Sequence, residues 1–94
     1  MTHFIVTYTY GEHSLIHETR PAHRSFIARL KDQGYVIAAG PYGDGNQSVI
    51  ILRMRDGSSL GAAAELLAED PYLTAGALAD RDFREWSPVI NVWE

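Results

Sequence analysis

The sequence predicts an α+β fold of the order β-α-β-β-α-β, the ferredoxin-like arrangement with a four-stranded antiparallel sheet and two helices on one face. Stretches rich in β-branched and aromatic residues alternate with stretches whose apolar residues recur at helical spacing. No linker or low-complexity segment divides the 94 residues, which suffice for one domain and not for two. We therefore expect a single domain over residues 1–94.

The first strand and helix are predicted in the first third of the chain. β-Branched and aromatic residues dominate residues 3–10, as in a strand. The polar stretch of residues 11–18 is interpreted as a loop, with Thr19 as a helix cap and Pro21 in the first turn, where a missing N–H costs little. The apolar face of this helix follows at i, i+3, i+4 and i+7: His23, Phe26, Ile27 and Leu30.

The second half of the chain predicts a hairpin, a helix and a last strand. Residues 35–39 and 48–55 are the hairpin strands, joined by a glycine-rich turn. Ser58 or Ser59 caps the second helix, and Asp70 starts a short helical turn. Strand character returns over residues 79–93, with an interruption at Pro88.

The third strand is apolar on both faces. Val49 and Ile51 point to one side, and Ile50, Leu52 and Met54 to the other. Two helices cover only one face of the sheet, and a face in water would carry polar residues. A second copy of the chain is the simplest cover, so we expect a homodimer.

Composition excludes several classes of function. The net charge is −4 and the basic residues are not clustered in sequence, which argues against nucleic acid as a partner. The chain has no cysteine, signal-peptide pattern or long apolar run, so we expect a cytoplasmic protein without a membrane segment. A phosphate-binding GxxxxGK[ST] loop is also absent, and no cofactor is predicted.

His23 and Asp70 are the candidate acid–base pair, and each has a plainer interpretation. His23 follows the apolar stripe and could be a core histidine with one satisfied nitrogen. Asp70 precedes Pro71, as a helix N-cap does. The two roles of Asp70 are compatible, because one carboxylate oxygen can cap while the other orients an imidazole.

The remaining polar candidates carry weaker signals. His13 and His17 are four residues apart, a spacing that could hold a metal on a helix, but in a loop they favour solvated side chains, so no metal site is predicted. His3 is interpreted as a strand-edge residue. Ser48 and Tyr72 could donate hydrogen bonds to a ligand, or be a strand-end hydroxyl and a core aromatic.

Three short motifs resemble the YCII (YciI-like) family. These are Arg20-Pro21-Ala22-His23, Ala39-Gly40-Pro41, and Asp70-Pro71-Tyr72 followed by Ala75-Gly76. Their order and spacing match over essentially the whole chain. The resemblance implies a dimeric α+β barrel related to the muconolactone isomerase group. It also implies an active site in which the motif histidine and aspartate fall on His23 and Asp70.

The resemblance further implies a serine at the start of strand 3, which falls on Ser48, although Gln47 stands where a glycine is common. Arg20 from the first motif and Tyr72 from the third are the other candidate substrate-binding residues. The function so predicted is a cofactor-independent lyase or isomerase acting on a small lactone- or muconate-like compound. The alternative is a non-catalytic module that binds a small ligand in the same pocket.

Overall fold

The computed structural model describes residues 1–93 and has four strands and three helices within them. Their bounds are β1 Thr2–Tyr10, α1 His13–Asp32, β2 Val36–Pro41, β3 Gln47–Met54, α2 Leu60–Leu66, α3 Pro71–Thr74 and β4 Leu78–Trp86. The sheet order is β2-β3-β1-β4, and all neighbouring strands are antiparallel. The predicted fold class is therefore confirmed, with the helices on one face of the sheet.

The core lies between the helices and one face of the two central strands. Side chains of β3 alternate between buried and half-buried along the whole strand, as the two-residue period of a strand requires. The core face carries Phe4, Val6 and Tyr8 from β1, each 0% exposed, and Ile50 and Leu52 from β3. None of the helices within residues 1–93 is long and apolar enough to cross a bilayer.

The first helix begins earlier than predicted. α1 starts at His13, so the loop expected over residues 11–18, the cap at Thr19 and the first-turn position of Pro21 were all wrong. Pro21 lies inside the helix, where it cannot donate to the carbonyl of His17. Burial of Ile16, seven residues before His23 on the same face, offsets that loss, and His23 consequently lies mid-helix.

The last strand is shorter than predicted. β4 ends at Trp86, so strand structure does not continue over residues 87–93. This segment turns back toward β1, where the ring of Trp93 lies 6.1 Å from that of His3. His3 is buried on a central strand, so its interpretation as a strand-edge residue was also wrong.

The second face of the sheet, which we call the outer face, carries Ile5, Val49 and Ile51, all half-buried. The predicted facing of β3 is confirmed, with Ile50, Leu52 and Met54 in the core and Val49 and Ile51 opposite. Two side chains of the segment after β4, Val89 and Ile90, are 89% and 92% exposed. The chain therefore presents apolar surface beyond what its own helices cover.

Candidate active site

Asp70 is the centre of the candidate site. Its carboxylate is 0% exposed and accepts hydrogen bonds from three directions. Oδ1 lies 2.8 Å from Nδ1 of His23 and accepts the backbone N–H of Tyr72 at 3.0 Å. Oδ2 accepts the hydroxyl of Tyr8 at 2.8 Å. Asp70 therefore caps α3 and contacts the imidazole with the same carboxylate.

The local fold explains why these side chains meet. Asp70 is the N-cap of α3 and Pro71 takes the first helical position, an arrangement that suits an Asp-Pro pair. Because α1 starts at His13, His23 lies in the middle of the helix and not at its end. After α3 the chain returns to β1 where the N–H of Gly11 donates to the carbonyl of Ala77 at 2.8 Å. A Cβ at Gly11 would lie 2.7 Å from that carbonyl oxygen, so the close approach needs glycine.

His23 is held by a ring stack as well as by the carboxylate. Its ring lies 3.9 Å from the ring of Tyr72, with only 12° between the two planes. The hydroxyl of Tyr72 in turn accepts a hydrogen bond from Nε of Arg20 at 3.1 Å. The predicted residues Arg20, His23, Asp70 and Tyr72 thus form one connected group. With Nδ1 engaged by Asp70, Nε2 is the ring nitrogen left for a ligand.

Tyr8 is a member of the site that the sequence reasoning missed. Its hydroxyl is buried against Asp70, and burial together with that negative charge raises the pKa of Tyr8 far above its usual value. Tyr8 therefore stays a proton donor to the carboxylate. The signal that could have identified it is its position on the core face of β1, since a buried phenol needs a hydrogen-bond partner.

A cavity of about 170 Å³ adjoins the pair. His23 and Tyr72 form part of its wall, and Ala39, Gly40 and Pro41 from the second motif form another part. Ser48 also lines it. Its side chain is 5% exposed, and its hydroxyl has no hydrogen-bond partner within residues 1–93. A buried hydroxyl without a partner is costly unless a ligand or water satisfies it.

The charged side chains that line this cavity are basic. Arg20 and Arg24 both line it, and none of the described lining residues is a carboxylate. The hydrogen bond to Tyr72 raises the pKa of Arg20, which keeps its guanidinium charged. The cavity therefore suits a ligand that is anionic or that develops negative charge.

His13 and His17 lie on the exposed side of α1 and do not line this cavity. They are one helical turn apart, which the loop interpretation had not allowed. Residues 1–93 contain no group of three or more histidine, cysteine, aspartate or glutamate side chains arranged to hold a metal ion.

Comparison with solved structures shows the same fold in proteins of low sequence identity. A 5-chloro-2-hydroxyhydroquinone dehydrochlorinase from Burkholderia phenoliruptrix AC1100, in complex with 2,5-dihydroxybenzoquinone, is 20% identical with a TM-score of 0.74, over 90% of this chain and 93% of that one. A protein of Mycobacterium tuberculosis is 14% identical with a TM-score of 0.63 over 100% of both chains. An antibiotic biosynthesis monooxygenase is 14% identical with a TM-score of 0.65, over 93% of this chain and 97% of that one.

A search of curated proteins finds no match to this sequence. The comparison with family models identifies the family of the chain. The model of the YCII-related domain matches residues 1–87, which covers all four strands and all three helices. The chain belongs to the YCII-related family.

Proposed function

We propose that the protein is a cofactor-independent lyase or isomerase in which His23 is the general base. The observation that carries this proposal is the position of His23 between a buried carboxylate, 2.8 Å from its Nδ1, and a cavity that its ring lines. A base needs access to a substrate on one side and a group that fixes its tautomer on the other. His23 meets both conditions.

The first step is removal of a proton from a carbon next to a carbonyl. Nε2 of His23 takes the proton, and the electron pair of the C–H bond moves onto the carbonyl oxygen to give an enolate. Asp70 accepts the Nδ1–H and stabilises the imidazolium that forms, so it is a positioning residue. General-base catalysis of this kind contributes roughly 10²–10⁴ in rate.

The enolate oxygen needs donors, and the cavity offers them. The hydroxyl of Ser48 is buried without a partner among the described residues, and the guanidinium groups of Arg20 and Arg24 supply positive charge. The enolate then either expels a leaving group from the β-carbon, which completes an elimination, or recovers the proton from His23 at another carbon, which completes an isomerisation. Both outcomes balance without an oxidant or a metal.

The proposed substrate is a small lactone- or muconate-like compound. A cavity of about 170 Å³ holds only a small molecule, and its arginines favour one that bears a carboxylate. The structural relative from Burkholderia is described as a dehydrochlorinase, a class of enzyme that eliminates chloride. That description, carried over to this chain as part of the proposal, supports elimination as the reaction type.

We also propose that the protein is a homodimer that buries the outer face. The apolar side chains of Ile5, Val49 and Ile51 are only half-buried in one chain, and Val89 and Ile90 are exposed. Val49 also lines the cavity, so a partner seated on this face borders the site. Two copies would thus complete the wall of each cavity.

The catalytic proposal is tested with a panel of lactones and halogenated muconate analogues, assayed with the wild type and with His23→Ala. We expect the variant to lose at least a hundredfold in turnover, within the range of a lost general base. Ser25→Ala, on the exposed side of the same helix, is the matched control and should retain full activity. Saturable binding without turnover by the wild type would support the ligand-binding alternative and overturn the catalytic proposal.

A further inference from the structure

The N-terminal half of α1 carries a row of basic side chains that the proposed chemistry uses only in part. His13, His17, Arg20 and Arg24 follow one another at i, i+4, i+7 and i+11, so they lie on one face of the helix. The row runs for about 16 Å along the helix axis. The same stretch also carries Glu12 and Glu18, which lie off this face, so the concentration of basic groups is a feature of one helix face in a chain of net charge −4.

A second hollow, which we call the outer hollow, lies beside the active-site cavity. It has a volume of about 390 Å³ and is bounded by His13, His17 and Arg20 from α1 and by Asp44 from the turn after β2. Tyr10 and Arg20 line both spaces, so the two share a wall. A molecule whose reacting end lies at His23 and that extends past Arg20 enters the outer hollow.

The start of α1 places unbonded backbone N–H groups and the carboxylate of Glu12 beside this end of the row. Its N-cap residue, Glu12, makes no side-chain capping bond, and the N–H of Ile16 is the one that donates to the carbonyl of Glu12. The N–H groups of the first turn, at His13 and the two residues after it, precede that bond and lack an intrahelical acceptor. Such groups and the helix dipole favour an anion close to the two histidines, and the carboxylate of Glu12, which accepts a hydrogen bond from the hydroxyl of Ser14, offsets part of that field.

We propose that the outer hollow is a second anion subsite and that the substrate is an elongated acid with two anionic groups. One group lies against Arg20 and Arg24 near the reacting carbon, and the remote group is bound by the imidazoles of His13 and His17. The inference rests on the proposed function for the reacting end only. It assigns a role to the two histidines that the acid–base chemistry leaves unused.

Asp44 is the one carboxylate that bounds the outer hollow among the described residues. Its Oδ1 accepts the backbone N–H of Asn46 at 2.9 Å, which holds it in a turn at the rim. A negative charge at the rim weakens binding of a remote anion. Replacement of Asp44 by asparagine should therefore strengthen that binding while the turn is kept.

The experiment compares suberate with octanoate by titration calorimetry. The two acids have the same chain length, and octanoate has a methyl group in place of the remote carboxylate. We expect suberate to bind the wild type at least about tenfold more tightly, which corresponds to about 1.4 kcal/mol. The double variant His13→Gln/His17→Gln should bind both acids equally, and Asp44→Asn should widen the preference.

Lys31→Gln is the matched control, because Lys31 is an exposed basic residue at the other end of the same helix. It should leave the preference for suberate unchanged. Equal binding of the two acids to the wild type, binding of neither, or a preference that survives the double variant overturns the inference. Turnover is measured separately, so an enzyme that is active without the preference retains the proposed function, and a preference without turnover retains only the subsite.

Discussion

Tyr8→Phe tests the buried network directly, because it removes one oxygen atom and leaves the ring that fills the core. Tyr8 is 0% exposed, and its hydroxyl donates to Oδ2 of Asp70 at 2.8 Å. Without it, the remaining side-chain contact of Oδ2 is Nδ1 of His23 at 3.0 Å. A hydrogen bond to a charged group contributes roughly 1.5–3 kcal/mol, so the free energy of unfolding should fall by about 2 kcal/mol. The whole free energy of unfolding of a small domain is only about 5–15 kcal/mol.

Urea denaturation followed by circular dichroism measures this loss. Tyr42→Phe is the matched control, because Tyr42 is 45% exposed and an exposed hydroxyl is already satisfied by water. Its free energy of unfolding should stay within about 0.5 kcal/mol of the wild type. If Tyr8→Phe costs no more than Tyr42→Phe, the hydroxyl of Tyr8 does not stabilise the buried carboxylate and the network is wrong.

The same substitution has a signature at alkaline pH. Burial and the charge of Asp70 raise the pKa of Tyr8 above the unfolded value of about 10, so the folded state keeps a proton that the unfolded state releases. The stability from this group is present in full below that pH and falls by about 1.4 kcal/mol per pH unit above it. Tyr8→Phe should lose this slope, whereas Tyr42→Phe should keep it. Parallel curves for wild type and Tyr8→Phe would contradict the reasoning.

Three further predictions address Ser48, assembly and metals. Ser48→Ala should lower turnover at least about tenfold without loss of stability, because it removes a buried hydroxyl that no described residue satisfies. A fall in the melting temperature of this variant would instead indicate a structural role for Ser48. Sedimentation at micromolar concentration should give twice the chain mass of 10.5 kDa, and a folded monomer would refute the dimer. Chelators should leave activity and melting temperature unchanged, and stoichiometric zinc or iron in protein purified without a His tag would contradict this.

The sheet was predictable because its strands are rich in β-branched and aromatic residues and are bounded by turn residues. In β3 every second residue is buried along the whole strand, but its apolar residues run on from Val49 to Leu52, so the strand was identified by its β-branched residues and the turns on either side of it. The antiparallel hairpin of β2 and β3 followed from the glycine-rich turn between them. For these elements the local sequence pattern and the global fold agree, and tertiary packing does not change the local prediction.

The start of α1 was not predictable from the same kind of local reasoning. Pro21 normally indicates a first turn, and that rule placed the helix cap at Thr19, seven residues after the observed cap at Glu12. Tertiary packing overrides this rule, because Ile16 is buried in the core and only a helix that continues through Pro21 places Ile16 there. The error mattered, because it had left His13 and His17 in a loop and His23 at a helix end.

The contacts within the candidate site were predicted in part by motif and in part not at all. Geometric reasoning could not decide how His23 and Asp70 would meet, and the resemblance to the YCII family placed them together. Tyr8 escaped notice because a tyrosine in an apolar strand is typical of a core position. The register that sets Tyr8 opposite Ser48 and Arg81 could have indicated that its hydroxyl points toward polar groups.

Asp70 shows why a capping role and a chemical role need not compete. If capping α3 were its only task, serine or asparagine at this position would serve about as well. Three donors converge on it instead: the hydroxyl of Tyr8, the backbone N–H of Tyr72 and the imidazole of His23. A serine oxygen has two lone pairs and an asparagine amide places an NH₂ where one of these donors points, whereas an ionised carboxylate offers about four acceptor sites and no donor. Burial of a charge at 0% exposure is costly unless it is matched in this way, so the neighbours select aspartate, and the aspartate in turn orients the imidazole of His23.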